Sequence, residues 1–185
     1  MALGNQGDRP SPGPRRPTSP AELPRYTFRV MDGYEEVPVS IADLGGTEID
    51  MRMQGDAGGL SVVVAPVMRF ADIPFNADVR IEMLGSPDKL IRGFAPELIG
   101  QPLEDRQILS ASTAEEEDGL TYYRFELSTP AVAHSLVTMT ALGNRVFILT
   151  TNSNSREFRK GGRDKLRKVQ ESFRASAARV PGLQV

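Results

Sequence analysis

Tyr26, Phe28 and Val30 alternate with Thr27 and Arg29, and Ile49, Met51 and Met53 alternate with Asp50, Arg52 and Gln54. A two-residue period sends successive side chains to opposite faces, so both runs predict strands with one buried face. Leu60 to Ala65 differs: it is apolar and β-branched through most of its length and bounded by Gly58-Gly59 and Pro66. That pattern predicts a central strand covered on both sides. The period then lengthens. Leu90, Ile91, Phe94 and Leu98 fall on one helical stripe that starts after Ser86, a capping residue, and Pro87, whose missing N–H costs nothing at the first helical position. Gly100 is placed to end this helix, and Pro96 inside it predicts a kink or a division.

From Gln107 the pattern returns to strands. Gln107 to Thr113, Thr121 to Thr129, His134 to Leu142 and Arg145 to Thr151 read as an antiparallel meander, interrupted by an acidic turn at Glu115 to Gly119 and by Pro130. Gly143-Asn144 between the last two is a hairpin signal, because glycine enters positive φ at the first central turn position without steric cost. Beyond Ser155, Phe158, Leu166, Val169 and Phe173 recur near helical spacing, and Gly161-Gly162 marks a bend, so one long helix or two short ones should cover the sheet. Strands, helix, meander, helix define an α/β chain of the α+β kind, with a mainly antiparallel β-sheet flanked by helices.

Composition narrows the function classes. The chain has 185 residues, 39% hydrophobic and 25% charged, which fits one globular domain. Its longest apolar run, Leu60 to Met68, is broken by Ser61 and Pro66 and falls short of the ~20 residues of a membrane helix. Cysteine is absent, which removes disulfides, thiolate catalysis and cysteine-held metals; a single histidine, His134, removes a two-histidine site within one chain. A net charge of -2 does not point to a nucleic acid partner. Six prolines lie between Gly7 and Pro24, so residues 1–25 are expected to form a flexible arm, either a loose end or a docking arm that orders on a partner. The folded domain is placed at 26–178 and a short tail at 179–185. No apolar core opens the chain between Met1 and Leu23, and no secretory or transit segment is expected there.

Candidate chemistry is sparse. His134 is the one side chain with an ordinary titration near neutrality, and is read either as a pH-responsive contact or as a hydrogen-bonded strand residue. Glu115, Glu116, Glu117 and Asp118 concentrate four carboxylates, but consecutive side chains diverge and the spacing matches no calcium loop, so a solvated turn is expected. Lys160-Gly161-Gly162-Arg163 lacks the glycine-rich pattern that cradles phosphates, no G-x-S-x-G element is present, and no acidic pair stands out for glycoside hydrolysis. From Arg156 to Arg179 there are nine basic residues against three acidic ones, which leaves the remainder of the chain acidic. Such a charge asymmetry orients a protein toward an acidic partner surface. The expected partner-binding residues are therefore Arg156, Arg159, Lys160, Arg163 and Lys165, together with His134.

Several segments resemble the PsbP family in order and spacing. They are Leu60 to Pro66, Leu84-Gly85-Ser86-Pro87-Asp88 with Leu90, Gly119-Leu120-Thr121-Tyr122-Tyr123 leading to Phe125-Glu126, His134-Ser135-Leu136 leading to Thr140, Gly143 to Phe147, and Ser172-Phe173. The resemblance runs from about Tyr26 to Phe173 and implies an αβα sandwich. It implies a non-enzymatic protein of the thylakoid lumen in chloroplasts or cyanobacteria, monomeric and peripheral to the membrane, that binds photosystem subunits. The founding member helps retain calcium and chloride at the oxygen-evolving centre of photosystem II; other members assist assembly or repair of photosystem II, or assembly of photosystem I or the NDH complex. Two family tryptophans are replaced by Tyr34 and Phe158, which keep an aromatic ring. An aspartate that could join the family histidine in binding a divalent cation falls at Ser155. No cofactor is expected, and calcium enters only through the resemblance. Two alternatives stay open: an enzyme or small-ligand carrier with a sheet-helix cleft near His134, Tyr122 or Tyr123, and a fold analogue like the nuclear-import factor that binds Ran.

Overall fold

The sheet grows outward from its most apolar strands. A computed structural model describes residues 25–39, 49–56, 58–74, 77–130 and 132–176. In it β4 (Gly58–Pro66), β7 (His134–Leu142) and β8 (Arg145–Ser153) are buried along most of their length, and β8 lies between the other two. β3 (Ile49–Gly55) and the two-residue β2 (Glu35–Glu36) extend the sheet on the β4 side, while β6 (Thr121–Leu127) and β5 (Ile108–Glu115) extend it on the β7 side. The order is β2-β3-β4-β8-β7-β6-β5, and every neighbouring pair is antiparallel.

Alternation along the strands splits the core into two layers. Val63, Ala65, Phe125, Val137, Met139 and Ile148 face α1 (Ile81–Leu84) and α2 (Pro87–Ile99), from which Leu90, Ile91 and Phe94 pack inward. Val62, Val64, Tyr122, Phe147 and Leu149 face the opposite way, against Val169 and Phe173. Val169 belongs to α4 (Arg163–Ser172), and beside it Leu136, Phe158 and Leu166 form a small cluster of their own. The result is a mainly antiparallel sheet between two helical layers.

Local signals worked where they were strong. Ser86 accepts the Lys89 N–H at the start of α2, and Gly100 closes it at φ +75°. Gly143 takes φ +60° while Asn144 stays at negative φ, so the β7–β8 register runs unbroken from His134↔Ser153 to Leu142↔Arg145. Pro96 does not divide α2: it sits on the exposed side near the C-terminal end, and the helix runs on to Ile99. Gly161 at φ +97° makes the expected bend, a kink that separates the turn begun by α3 (Ser155–Glu157) from α4.

The ends of the domain depart from the expected pattern. Only Arg25–Thr27 of the first run forms a strand, β1, and it pairs outside the main sheet with β9 (Arg174–Ser176). Neither β9 nor the short β2 and α1 are marked by periodicity, because elements of two to four residues are shorter than one reading of the pattern. Of the arm expected over residues 1–25, Arg25 instead begins β1, and residues 1–24 and the tail at 179–185 lie outside the described residues.

Candidate functional site

The basic segment folds back across the end of the sheet. Asn154 caps α3, its side-chain oxygen accepting the N–H groups of Arg156 (3.0 Å) and Glu157 (2.9 Å). Phe158 then drops into the core and stacks on the His134 ring, with centroids 4.0 Å apart and planes 1° from parallel. The kink at Gly161 follows, and a Cβ at Gly162 would stand 2.6 Å from the Glu157 carbonyl oxygen, so the turn closes only over a glycine. α4 leaves in the direction that buries Leu166, Val169 and Gln170.

This path separates the six expected partner-binding residues. His134, Arg159 and Arg163 share one open cleft of about 500 Å³ with Ser155, Phe158, Gly161 and Asp164. Lys165 lies in a second cleft of about 510 Å³, with Lys168, Glu157, Tyr34 and the segment Arg29 to Gly33. Arg156 is exposed on α3, and Lys160 stands 3.8 Å from Glu157. Arg159 donates to the Ser155 carbonyl at 3.1 Å.

Arg163 has a second task that the sequence did not reveal. It and Arg167 of the same helix reach the same oxygen of Glu126, at 2.8 and 3.3 Å. The Glu126 side chain is 6% exposed, whereas the two arginines are roughly half exposed (49% and 42%). A carboxylate that is nearly dry requires compensation, and two guanidiniums supply it from the water side. The hydrogen bond to Glu126 also holds the Arg163 guanidinium above its ordinary pKa. Gln170 completes the attachment by donating to the carbonyls of Phe125 (3.1 Å) and Val137 (2.9 Å).

The acidic turn is exposed at Glu115, Glu117 and Asp118, as expected of a solvated turn, and it also acts as a clasp. Glu116 is held between Arg124 on β6 and Arg174 on β9, the latter at 2.5 Å, and its side chain is 18% exposed. Asp118 accepts from the Tyr122 phenol at 2.6 Å and the Leu120 N–H at 2.9 Å. Tyr122 accepts the Ala175 N–H at 3.0 Å, and burial with the Asp118 bond pushes its pKa up, so the phenol stays protonated. Through these contacts the turn fastens β9, and with it β1, to the sheet.

Neither region fits calcium, which takes six to eight oxygen ligands. Glu116 and Asp118 are committed to arginines and a tyrosine. Around His134 the donors are an imidazole, the Ser155 hydroxyl and the Asp164 carboxylate, next to two arginines whose charge opposes a cation. Of the three residues named for a sheet-helix cleft, His134 lines the open cleft beside Ser155 and Asp164, and the two tyrosines lie elsewhere. Tyr122 faces α4 and β9, Tyr123 faces α2 and donates to the Gly85 carbonyl at 3.2 Å, and His134 stands at the far end of β7. At the two positions where the resemblance places tryptophans, the Tyr34 ring covers Gly55, where a Cβ would stand 2.4 Å from it, and Phe158 carries the His134 stack.

The sequence pattern of the PsbP family matches residues 25–175. Among curated proteins, PsbP domain-containing protein 4, chloroplastic, of Arabidopsis thaliana is 47% identical over 150 residues, covering 80% of this chain and 55% of the relative. PsbP domain-containing protein 6, chloroplastic, of the same plant is 26% identical over 129 residues, covering 68% of this chain and 47% of the relative. The chain thus spans about half the length of these relatives. Among solved structures, cyanobacterial PsbP (CyanoP) from Synechocystis sp. PCC 6803 superposes with a TM-score of 0.59 at 16% identity, over 82% of this chain and 86% of that one. At that identity the likeness speaks for the fold.

Proposed function

The chain belongs to the PsbP family, and on that premise we propose that it is a non-enzymatic accessory protein of the thylakoid lumen that docks on photosystem II or one of its assembly or repair intermediates. The chloroplastic names of its relatives support the compartment. Among the described residues no helix is long and apolar enough to cross a membrane, in keeping with peripheral attachment. Assembly of photosystem I or of the NDH complex is the alternative within the same class.

The observation that carries this reading is the spread of unspent positive charge on the C-terminal helical segment. Arg156, Lys165 and Lys168 are exposed with no ion-pair partner among the described residues, and Arg159 and Lys160 are exposed beside them. Exposed charges free of internal partners are available to an acidic surface, and their attraction weakens as salt rises. Arg163 contributes from the margin, since its charge is shared with Glu126.

Affinity capture from detergent-solubilised thylakoids, read by mass spectrometry, tests the proposal. The tagged chain is expected to recover photosystem II subunits, and a variant carrying Arg156→Glu, Arg159→Glu and Lys165→Glu is expected to recover at least about tenfold less. Arg163 is left intact so that the fold is not disturbed. Capture unchanged by the three reversals rejects these residues as docking contacts; capture of photosystem I or NDH subunits moves the assignment to the alternative.

A further inference from the structure

The sequence contains Asp-Gly twice, at Asp32-Gly33 and at Asp118-Gly119. In such a pair the glycine amide nitrogen can attack the side-chain carboxyl carbon of the aspartate, because glycine has no Cβ to block the approach and leaves the backbone free to turn. The surroundings of the two pairs are alike. Both lie in turns, all four residues are exposed, and both glycines take positive φ, +78° at Gly33 and +71° at Gly119. Their bonding is not alike. The Asp118 carboxylate accepts the Tyr122 phenol at 2.6 Å and the Leu120 N–H at 2.9 Å, and the Gly119 N–H donates to the Glu116 carbonyl at 2.9 Å. Both reacting groups of that pair are held. The other turn runs from Met31 to Tyr34 and is closed by the Tyr34 N–H on the Met31 carbonyl at 3.3 Å. In it neither the Asp32 carboxylate nor the Gly33 N–H has a hydrogen-bond or ion-pair partner among the described residues.

We propose that Asp32 is a site of spontaneous conversion to isoaspartate in the folded protein, and that the clasp protects Asp118 from the same reaction. The Gly33 amide nitrogen bonds to the Asp32 carboxyl carbon, and one carboxyl oxygen departs as water, taking the amide proton and a proton from solvent. A five-membered succinimide closes. Water then opens one of its two carbonyls and returns the proton to solvent. Opening at the side-chain carbonyl restores aspartate, whereas opening at the main-chain carbonyl leaves Gly33 bonded to the side-chain carbon and the former backbone carbonyl as the free carboxylate. One water leaves and one returns, so mass and charge are conserved, and no oxidant or cofactor takes part. The product carries its Cβ in the main chain, which lengthens the turn by one carbon. That turn forms part of the wall of the cleft that holds Lys165 and Lys168, and Tyr34 at its end covers Gly55.

The test ages the full chain near neutral pH at physiological temperature and reads isoaspartate at each position by electron-transfer fragmentation of its peptides. Conversion at Asp32 is expected to run at least about tenfold faster than at Asp118, which must first release its hydrogen bonds. In concentrated guanidinium chloride the two rates are expected to converge to within about twofold, because both pairs are then unfolded Asp-Gly. Comparable conversion at the two positions in the folded chain overturns the inference. So does isoaspartate at Asp32 that forms only in guanidinium. A difference between the positions that survives in guanidinium also overturns it, because neighbouring sequence and not the fold would then be its cause.

Discussion

On the α2 side of the sheet the layers meet through apolar side chains, with Ile91 and Phe94 packed over Phe125, Val137 and Ile148. On the α4 side an apolar centre is flanked by buried polar anchors: Glu126 under Arg163 and Arg167, Gln170 on two strand carbonyls, and Glu116 between Arg124 and Arg174. The difference follows from what each layer must do. Apolar burial is non-directional and rewards area, which suits a helix already bounded by Ser86 and Gly100. α4 instead starts after a kink and runs into β9, and directional bonds set its position along the sheet.

If that contrast is right, the largest loss should come from the apolar side. Phe94→Ala, or Phe125→Ala, is expected to destabilise by about 3–5 kcal/mol in urea unfolding, with the whole domain unfolding in one step. A polar-side variant should cost less, because the arginines it frees already touch water. Glu126→Ala is expected to cost about 2 kcal/mol, and a double-mutant cycle with Arg163→Ala should give a positive coupling that shrinks in high salt. Equal losses on the two sides would erase the distinction. Glu116→Ala should act locally: hydrogen exchange is expected to accelerate in β1 and β9 while α2 keeps its protection. Gly161→Ala comes lower still, at roughly 1 kcal/mol, since alanine is strained at φ +97°. Charge reversal at Arg156 or Lys165 should change stability by no more than about 0.5 kcal/mol, so any loss of docking reads directly on the surface.

The central elements were legible because their signals are local and repeated. Val62 to Ala65 reads as doubly buried from composition, Ser86-Pro87 fixes a helix start, and Gly143-Asn144 fixes a hairpin. The margins were not. Arg174-Ala175-Ser176 becomes a strand only because Arg25 to Thr27 lies beside it, a pairing between the two ends of the domain that no window along the chain contains. The candidate site was half legible. The excess of basic residues after Ser155 is plain in the sequence, but a run of arginines looks the same whether each faces water or a buried acid. Phe125-Glu126-Leu127 held a clue: a glutamate between apolar strand residues points to a face that α4 covers.

The order of residues determined the fold class, the hairpins, the helix start at Ser86, the absence of thiol chemistry and the concentration of positive charge near the C-terminus. Each depends on neighbours within a few positions or on inventory alone. Tertiary structure decided which arginines are spent, which acids are held, that His134 lies against Phe158 and that, among the described residues, β5 pairs with β6 alone. Those outcomes depend on which distant segments meet, and meeting is set by the packing of two layers on a sheet, where a side chain's partner comes from another element.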